Sequence, residues 1–212
     1  MKDILVIGAG GFGREVKWMI DRINNANGAS KWNVAGFIDD GIDYGTRIEG
    51  IPVLGGIEFL DNSPKEISVV CAIANTVIRK RIINRIKNNK KLLFPNLLDP
   101  QIIISPDCTI GEGNVICAST VVSVNVSLGD FDIIDWSCTV GHDVVLHDYV
   151  TLFPSVNVSG CVEIRECSEI GTGAQIIQGK KIESNTIIGA GTVVIRDIVQ
   201  GGTYVGVPAE KT

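Results

Sequence analysis

The sequence predicts two folds in succession, a βαβ-type α/β unit with a parallel sheet and then an all-β solenoid. Three observations predict this. From Ile104 to Val194 an Ile, Leu or Val falls on every sixth residue, sixteen times without a slip. Before about residue 95, strand-like and helix-like patterns alternate instead. The string LLFPNLLDPQ, Leu92 to Gln101, marks the change of period and sets the expected boundary after residue 98, giving units 1–98 and 99–212.

In the first unit, Asp3 to Ile7 is a short apolar strand. Gly11 to about Asn25 has helical spacing, with Val16, Met19, Ile20 and Ile23 on one face, and Asn33 to Asp39 reads as a second strand. Ile67 to Ile73 reads as a third, buried strand, followed by a basic amphipathic helix over about Asn75 to Asn89 with Ile78, Ile82, Ile83 and Ile86 on one face.

In the second unit each hexad places one aliphatic residue inside and a small or polar turn residue beside it, such as Gly111, Gly129, Gly141, Gly171 and Gly189. A chain that turns after every hexad closes a triangle in three, so residues 18 apart stack at the strand spacing of ~4.8 Å. Sixteen hexads give about five coils. The ends of such a coil carry unpaired backbone, and the α/β unit and the tail Asp197 to Thr212 are the expected covers.

Composition narrows the function. The 212 residues carry a net charge of −5, which argues against a nucleic-acid partner. No apolar run approaches a membrane span, and MKDILVIG has no secretory h-region, so a cytoplasmic protein with no membrane partner is expected. The six cysteines form no C-x-x-C pair and read as reduced small residues.

Two segments carry chemistry. Gly8-Ala9-Gly10-Gly11-Phe12-Gly13 satisfies G-x-G-x-x-G between a strand and a helix, and Asp39 and Asp40 end the next strand. This suits a nucleotide diphosphate at the helix N-terminus with an acidic residue on the ribose. The unit is too short for the second half of a dinucleotide site. The other segment is Cys138-Thr-Val-Gly-His142-Asp143. His142 follows the buried Val140 by two residues, so it stands outward at a corner, where an imidazole can accept a proton at neutral pH with Asp143 fixing its tautomer. Gly160 lies one coil further on the same corner, where its N–H can face an oxyanion. Pro154, Thr172 and Ala190 stack on another corner as a groove of small residues. His147 sits beside the buried Leu146 and is expected to bond locally. With only two histidines, a three-histidine zinc centre is not expected, and no metal is assigned.

The hexads, the string GHDVVLHDYV and the tail Gly206-Val-Pro-Ala209 resemble the left-handed β-helix acyltransferases. GAGGFGREV, FIDD and AIANTVIRKRI resemble their bacterial sub-family of nucleotide-aminosugar N-acetyltransferases and sialic-acid O-acetyltransferases. The resemblance implies a left-handed coil, a homotrimer and acetyl-CoA as co-substrate. It implies His142 as general base supported by Asp143, Gly160 as the oxyanion amide, and Thr172, Gly173 and Ala190 on the pantetheine track. Gly8, Ala9, Gly10, Asp39, Asp40 and Asn75 fall where a nucleotide-linked amino sugar is held. The expected reaction is direct N-acetylation of that sugar for surface glycan synthesis. O-acetylation of a sialic-acid-type sugar is the alternative, and an NAD-linked oxidoreductase or a non-catalytic nucleotide-sugar binding module are distant ones.

Overall fold

The computed structural model describes residues 1–26, 31–61 and 63–212, which form two compact units, Met1–Pro100 and Gln101–Thr212. In the first, β1 (Lys2–Ile7), α1 (Gly11–Ala26), β2 (Trp32–Ile38), the hairpin β3 (Arg47–Ile48) and β4 (Ile51–Pro52), α2 (Glu58–Asp61), β5 (Ile67–Cys71), α3 (Thr76–Ile86) and β6 (Leu92–Leu93) follow in order. The sheet order β2-β1-β5-β6 is parallel throughout. It is one mononucleotide-type half, as the length of the unit implied.

Helix α1 buries Val16, Met19, Ile20 and Ile23 as its spacing predicts. Helix α3 departs from expectation. Asn75 is its N-cap, accepting from the Ile78 N–H at 2.9 Å, and the buried face is Thr76, Arg79, Ile83 and Ile86. Arg79 is 1% exposed and donates to the carbonyls of Ile73 and Ala74 at 2.7 and 2.9 Å. That pairing lets a cation take the place apolar spacing had given to Ile78 and Ile82, which stay nearer the surface.

The second unit is a three-sided solenoid built mainly of two-residue strands, paired in parallel with the strand eighteen residues on as far as Val194. One side runs Val121↔Thr139↔Asn157↔Gln175↔Val193. Fourteen of the sixteen periodic aliphatics are buried, with Ile104 and Ile110 partly covered in the first coil. The structure adds a second inner row, two residues before each aliphatic, because side chains alternate across a strand. Cys138, Val144, Val150, Val156 and Val162 belong to it, each at most 1% exposed. Asn114 and Asp132 occupy the same row, and their side chains accept from the Asp132 and Val150 N–H groups at 2.6 and 2.7 Å.

A third periodicity lies in the backbone. From residue 113 to 191, every sixth residue has positive φ. The three corners are therefore columns of left-handed residues: Gly113, Phe131, Tyr149, Cys167 and Asn185; Ser119, Ser137, Ser155, Gly173 and Gly191; Asn125, Asp143, Cys161 and Gly179. Gly, Asn and Asp enter this region at low cost, whereas Phe131 and Tyr149 do so as a stacked ring pair, 5.5 Å between centroids. The tail covers the last coil by adding Gly202–Val205 in parallel to Thr186–Ile188, then Glu210–Lys211 antiparallel to it.

Gly113 begins the ring column at φ 71°, and a Cβ there would stand 2.4 Å from the Phe131 ring. Gly113→Ala is expected to lower unfolding free energy by about 1–3 kcal/mol, through backbone strain plus the steric clash. Equilibrium urea denaturation measures it, and an unchanged midpoint would refute the steric account.

Candidate active site

The Asn125–Asp143–Cys161 corner carries His142 at its edge. The His142 Nδ1 lies 2.8 Å from Asp143 Oδ2, and Asn125 Nδ2 donates to Asp143 Oδ1 at 2.6 Å. The Asn125 amide first, and then His142, hold the Asp143 carboxyl below the usual carboxylate range. An ionised Asp143 keeps the proton on Nδ1 and leaves the Nε2 lone pair free. Nε2 faces Gly160: a Cβ on that glycine would lie 2.4 Å from it. Only glycine lets the imidazole rest over this coil. The Gly160 N–H meets no protein acceptor among the described residues, although the residue is buried. A proton acceptor and a free backbone donor thus stand side by side, the pair that acyl transfer needs.

The second corner stacks as the arithmetic required. The Gly173 N–H donates to the Pro154 carbonyl at 2.9 Å, and the Gly191 N–H to the Thr172 carbonyl at 2.8 Å. Thr172 and Ala190 are exposed, and a Cβ on Gly173 would meet nothing within 4 Å. His147 bonds Glu163 at 3.2 Å, in a surface cluster with Lys181 and Arg165. Burial pushes the Cys71 thiol up to about 11 and the Cys138 thiol to about 12, so neither is a nucleophile at neutral pH. Cys161, by contrast, is exposed beside His142. Sequence reading missed Asn125 and Cys161, although both lie eighteen residues from Asp143 on its own corner.

In the α/β unit, β1 ends in the glycine turn. A Cβ on Gly13 would lie 2.0 Å from the Gly8 carbonyl oxygen, so that glycine serves the turn itself. Gly10 has nothing within 4 Å of a Cβ, which is the open side a ligand needs. Asp39 already accepts from the Ala9 N–H and the Gly41 N–H, both at 2.9 Å, and Asp40 from the Ile57 N–H at 2.8 Å. Asp39 therefore braces the turn, and a ribose could use only its remaining lone pairs. Beside them opens a cleft of about 370 Å³, lined by Gly8, Asp39, Asp40, isoleucines including Ile78 and Ile82, and the guanidinium groups of Arg81 and Arg85. Arg85 is paired with Asp61, whereas Arg81 makes no side-chain bond among the described residues. Asn75 is absent from this lining, its side chain serving as the cap of α3. The arginines were not legible as cleft-lining residues, because a basic helix face reads as a solvated one.

Residues 3–86 match the PglD N-terminal domain family. A GDP-perosamine N-acetyltransferase of Escherichia coli O157:H7 is 30% identical over 191 residues, spanning 88% of this chain and 82% of that protein. The acetyltransferase domain of PglB from Neisseria gonorrhoeae FA1090 superposes with a TM-score of 0.89 at 32% identity, over 100% of both chains. The same domain has been solved in complex with acetyl coenzyme A. PerB from Caulobacter crescentus, solved in complex with CoA and GDP-perosamine, superposes with a TM-score of 0.84 at 27% identity, over 99% of this chain and 97% of that one. No helix among the described residues is long and apolar enough to cross a membrane. An α/β unit of this family followed by a left-handed parallel β-helix, and an imidazole set over a free backbone amide, lead to one assignment. The chain belongs to the left-handed β-helix N-acetyltransferases of nucleotide-linked amino sugars, and is an acetyl-CoA-dependent acetyltransferase.

Proposed function

We propose that the acceptor is an amino-dideoxy sugar on a nucleoside diphosphate, of the kind represented by the GDP-perosamine bound by PerB. The observation that carries the catalytic assignment is His142 Nε2 held over Gly160 by the Asn125–Asp143 hydrogen bonds. His142 takes the proton from the sugar amine as it attacks the thioester carbonyl. The Gly160 N–H receives the oxyanion, and CoA departs as the thiolate. Asp143 keeps the imidazole in the accepting tautomer. Thr172, Gly173 and Ala190 line the track of the pantetheine arm, an open row of small residues suited to an extended chain.

In the α/β unit the diphosphate meets the N–H groups that open α1, near Gly10, with Arg81 as counter-charge. The isoleucine walls of the cleft take the base, Gly8 and Ala9 shape the turn, and Asp40, with the remaining lone pairs of Asp39, meets the ribose. Asn75 acts through the position of α3. The protein works as a homotrimer, for which the outward Ile103 and Val121, stacked on one side of the coil and 67% and 37% exposed, offer an apolar contact face. It acts in the cytoplasm, in the supply of sugars for a surface polysaccharide.

A CoA-release assay over GDP-, UDP- and dTDP-linked 4-amino sugars, with free sialic acid as control, tests the acceptor. Turnover on a nucleotide-linked amine and none on sialic acid is expected; the reverse preference would overturn the reading. His142→Ala is expected to lower kcat roughly 10²–10⁴-fold with the oligomer intact. Gly160→Ala, whose methyl displaces the imidazole, should lower kcat at least about tenfold with little change in KM for the nucleotide sugar. Arg81→Ala should do the opposite, raising that KM by about tenfold or more at nearly constant kcat. Steady-state kinetics separate the two, and equal effects on both constants would count against the division of roles.

A further inference from the structure

The exposed thiol of Cys161 has no part in the acetyl transfer derived above, yet it completes a set of three different donors. Its Sγ lies 4.0 Å from His142 Nδ1 and 4.0 Å from Asp143 Oδ2, which are themselves 2.8 Å apart. All three side chains face solvent. We propose that His142, Asp143 and Cys161 form a binding site for a thiophilic divalent cation of the zinc class, and that its occupation switches the enzyme off.

The geometry is close to what such a cation requires. Zinc bonds of about 2.05 Å to nitrogen or oxygen and 2.3 Å to sulfur, at tetrahedral angles, place nitrogen and oxygen about 3.4 Å apart and either of them about 3.6 Å from sulfur. The three observed separations differ from these by about 0.6 Å or less, within reach of small side-chain rotations. Solvent supplies the fourth ligand. The corner backbone favours the set: Asp143 and Cys161 occupy successive left-handed positions of one column, and Cys161 donates its N–H to the His142 carbonyl at 2.8 Å. A nitrogen, an oxygen and a sulfur suit zinc, cobalt or cadmium, and not magnesium or calcium. The set is unlike the three-histidine centre that the count of histidines excludes.

The consequence follows from which imidazole nitrogen is taken. During transfer, Nδ1 carries the proton donated to Asp143 and Nε2 is the acceptor facing Gly160. A cation in the trio needs the Nδ1 lone pair, so the ring proton must reside on Nε2. The base then becomes a donor, and Asp143 is withdrawn from it. On binding, the Cys161 thiol gives its proton to solvent as the sulfur–metal bond forms, so no oxidant or reductant enters.

The loss of activity rests on His142 being the base, whereas the site itself does not. Cobalt(II) is therefore titrated into tag-free, chelator-stripped, reduced full-length protein, followed by the near-ultraviolet thiolate-to-cobalt band, and zinc is titrated into the CoA-release assay. One equivalent of cobalt with a thiolate band is expected, lost in Cys161→Ser. Zinc should inhibit reversibly by chelator, with the half-inhibiting concentration at least tenfold higher in Cys161→Ser, whose metal-free turnover stays near that of the parent. Absence of the band in the parent protein, or its persistence in Cys161→Ser, would overturn the site and leave the base assignment standing. A Cys161-dependent band without inhibition would support the site and overturn His142 as the base.

Discussion

The constraint on which the catalytic unit depends is the left-handed residue that recurs at every sixth position from 113 to 191. Hydrophobic burial alone does not make a triangle; it rewards any compact arrangement of the periodic aliphatics. A corner residue with φ near +60° redirects the chain within one hexad, and repetition at a fixed interval keeps all sides the same length. Equal sides are what allow Val121, Thr139, Asn157, Gln175 and Val193 to fall into one parallel ladder. At Phe131 and Tyr149, where bulky side chains make this conformation costly, the stacking of the two rings offsets part of the cost.

That same register brings the candidate site residues together. Asn125, Asp143 and Cys161 occupy one column because they are corner residues of successive coils, and His142 and Gly160 are the residues before two of them. Hydrogen bonding then orders the group: the Asn125 amide holds Asp143, and Asp143 holds His142. Gly160 lacks the side chain that would push the imidazole away. A change of coil length between residues 125 and 161 would break all of these relations at once.

Much of this was legible in the sequence, and the failures have physical causes. The parallel α/β unit follows from its alternating strand and helix patterns, and the solenoid, the stacking of Gly160 on His142 and the column Pro154, Thr172 and Ala190 follow from counting by six and eighteen. The second inner row was missed because its members vary from Val156 to Thr120 and Asp132, so no single residue type reveals it. The left-handed corners were partly readable, as Gly, Asn, Asp and Ser three residues after the aliphatic, but Phe131, Tyr149 and Cys161 hide the pattern. In α3 the apolar spacing misplaced Ile78 and Ile82, since a hydrogen-bonded Arg79 took the buried position and left those isoleucines as cleft walls. An open cleft with apolar walls has the same sequence signature as a core.

The glycine turn of the α/β unit shows how a familiar motif can be put to a narrower use. In a dinucleotide site the acidic residue after the second strand is available to the ribose. Here both oxygens of Asp39 are already engaged by the turn and by the backbone after β2. The Ala9 N–H, pointed at Asp39, is thereby removed from the donors open to a phosphate. The N–H groups at the start of α1 and, from another helix, the guanidinium of Arg81, which has no side-chain partner among the described residues, remain as donors. Among the described residues the unit's parallel sheet has four strands and no second mononucleotide half. That architecture argues against a dinucleotide more strongly than the glycine motif argues for one.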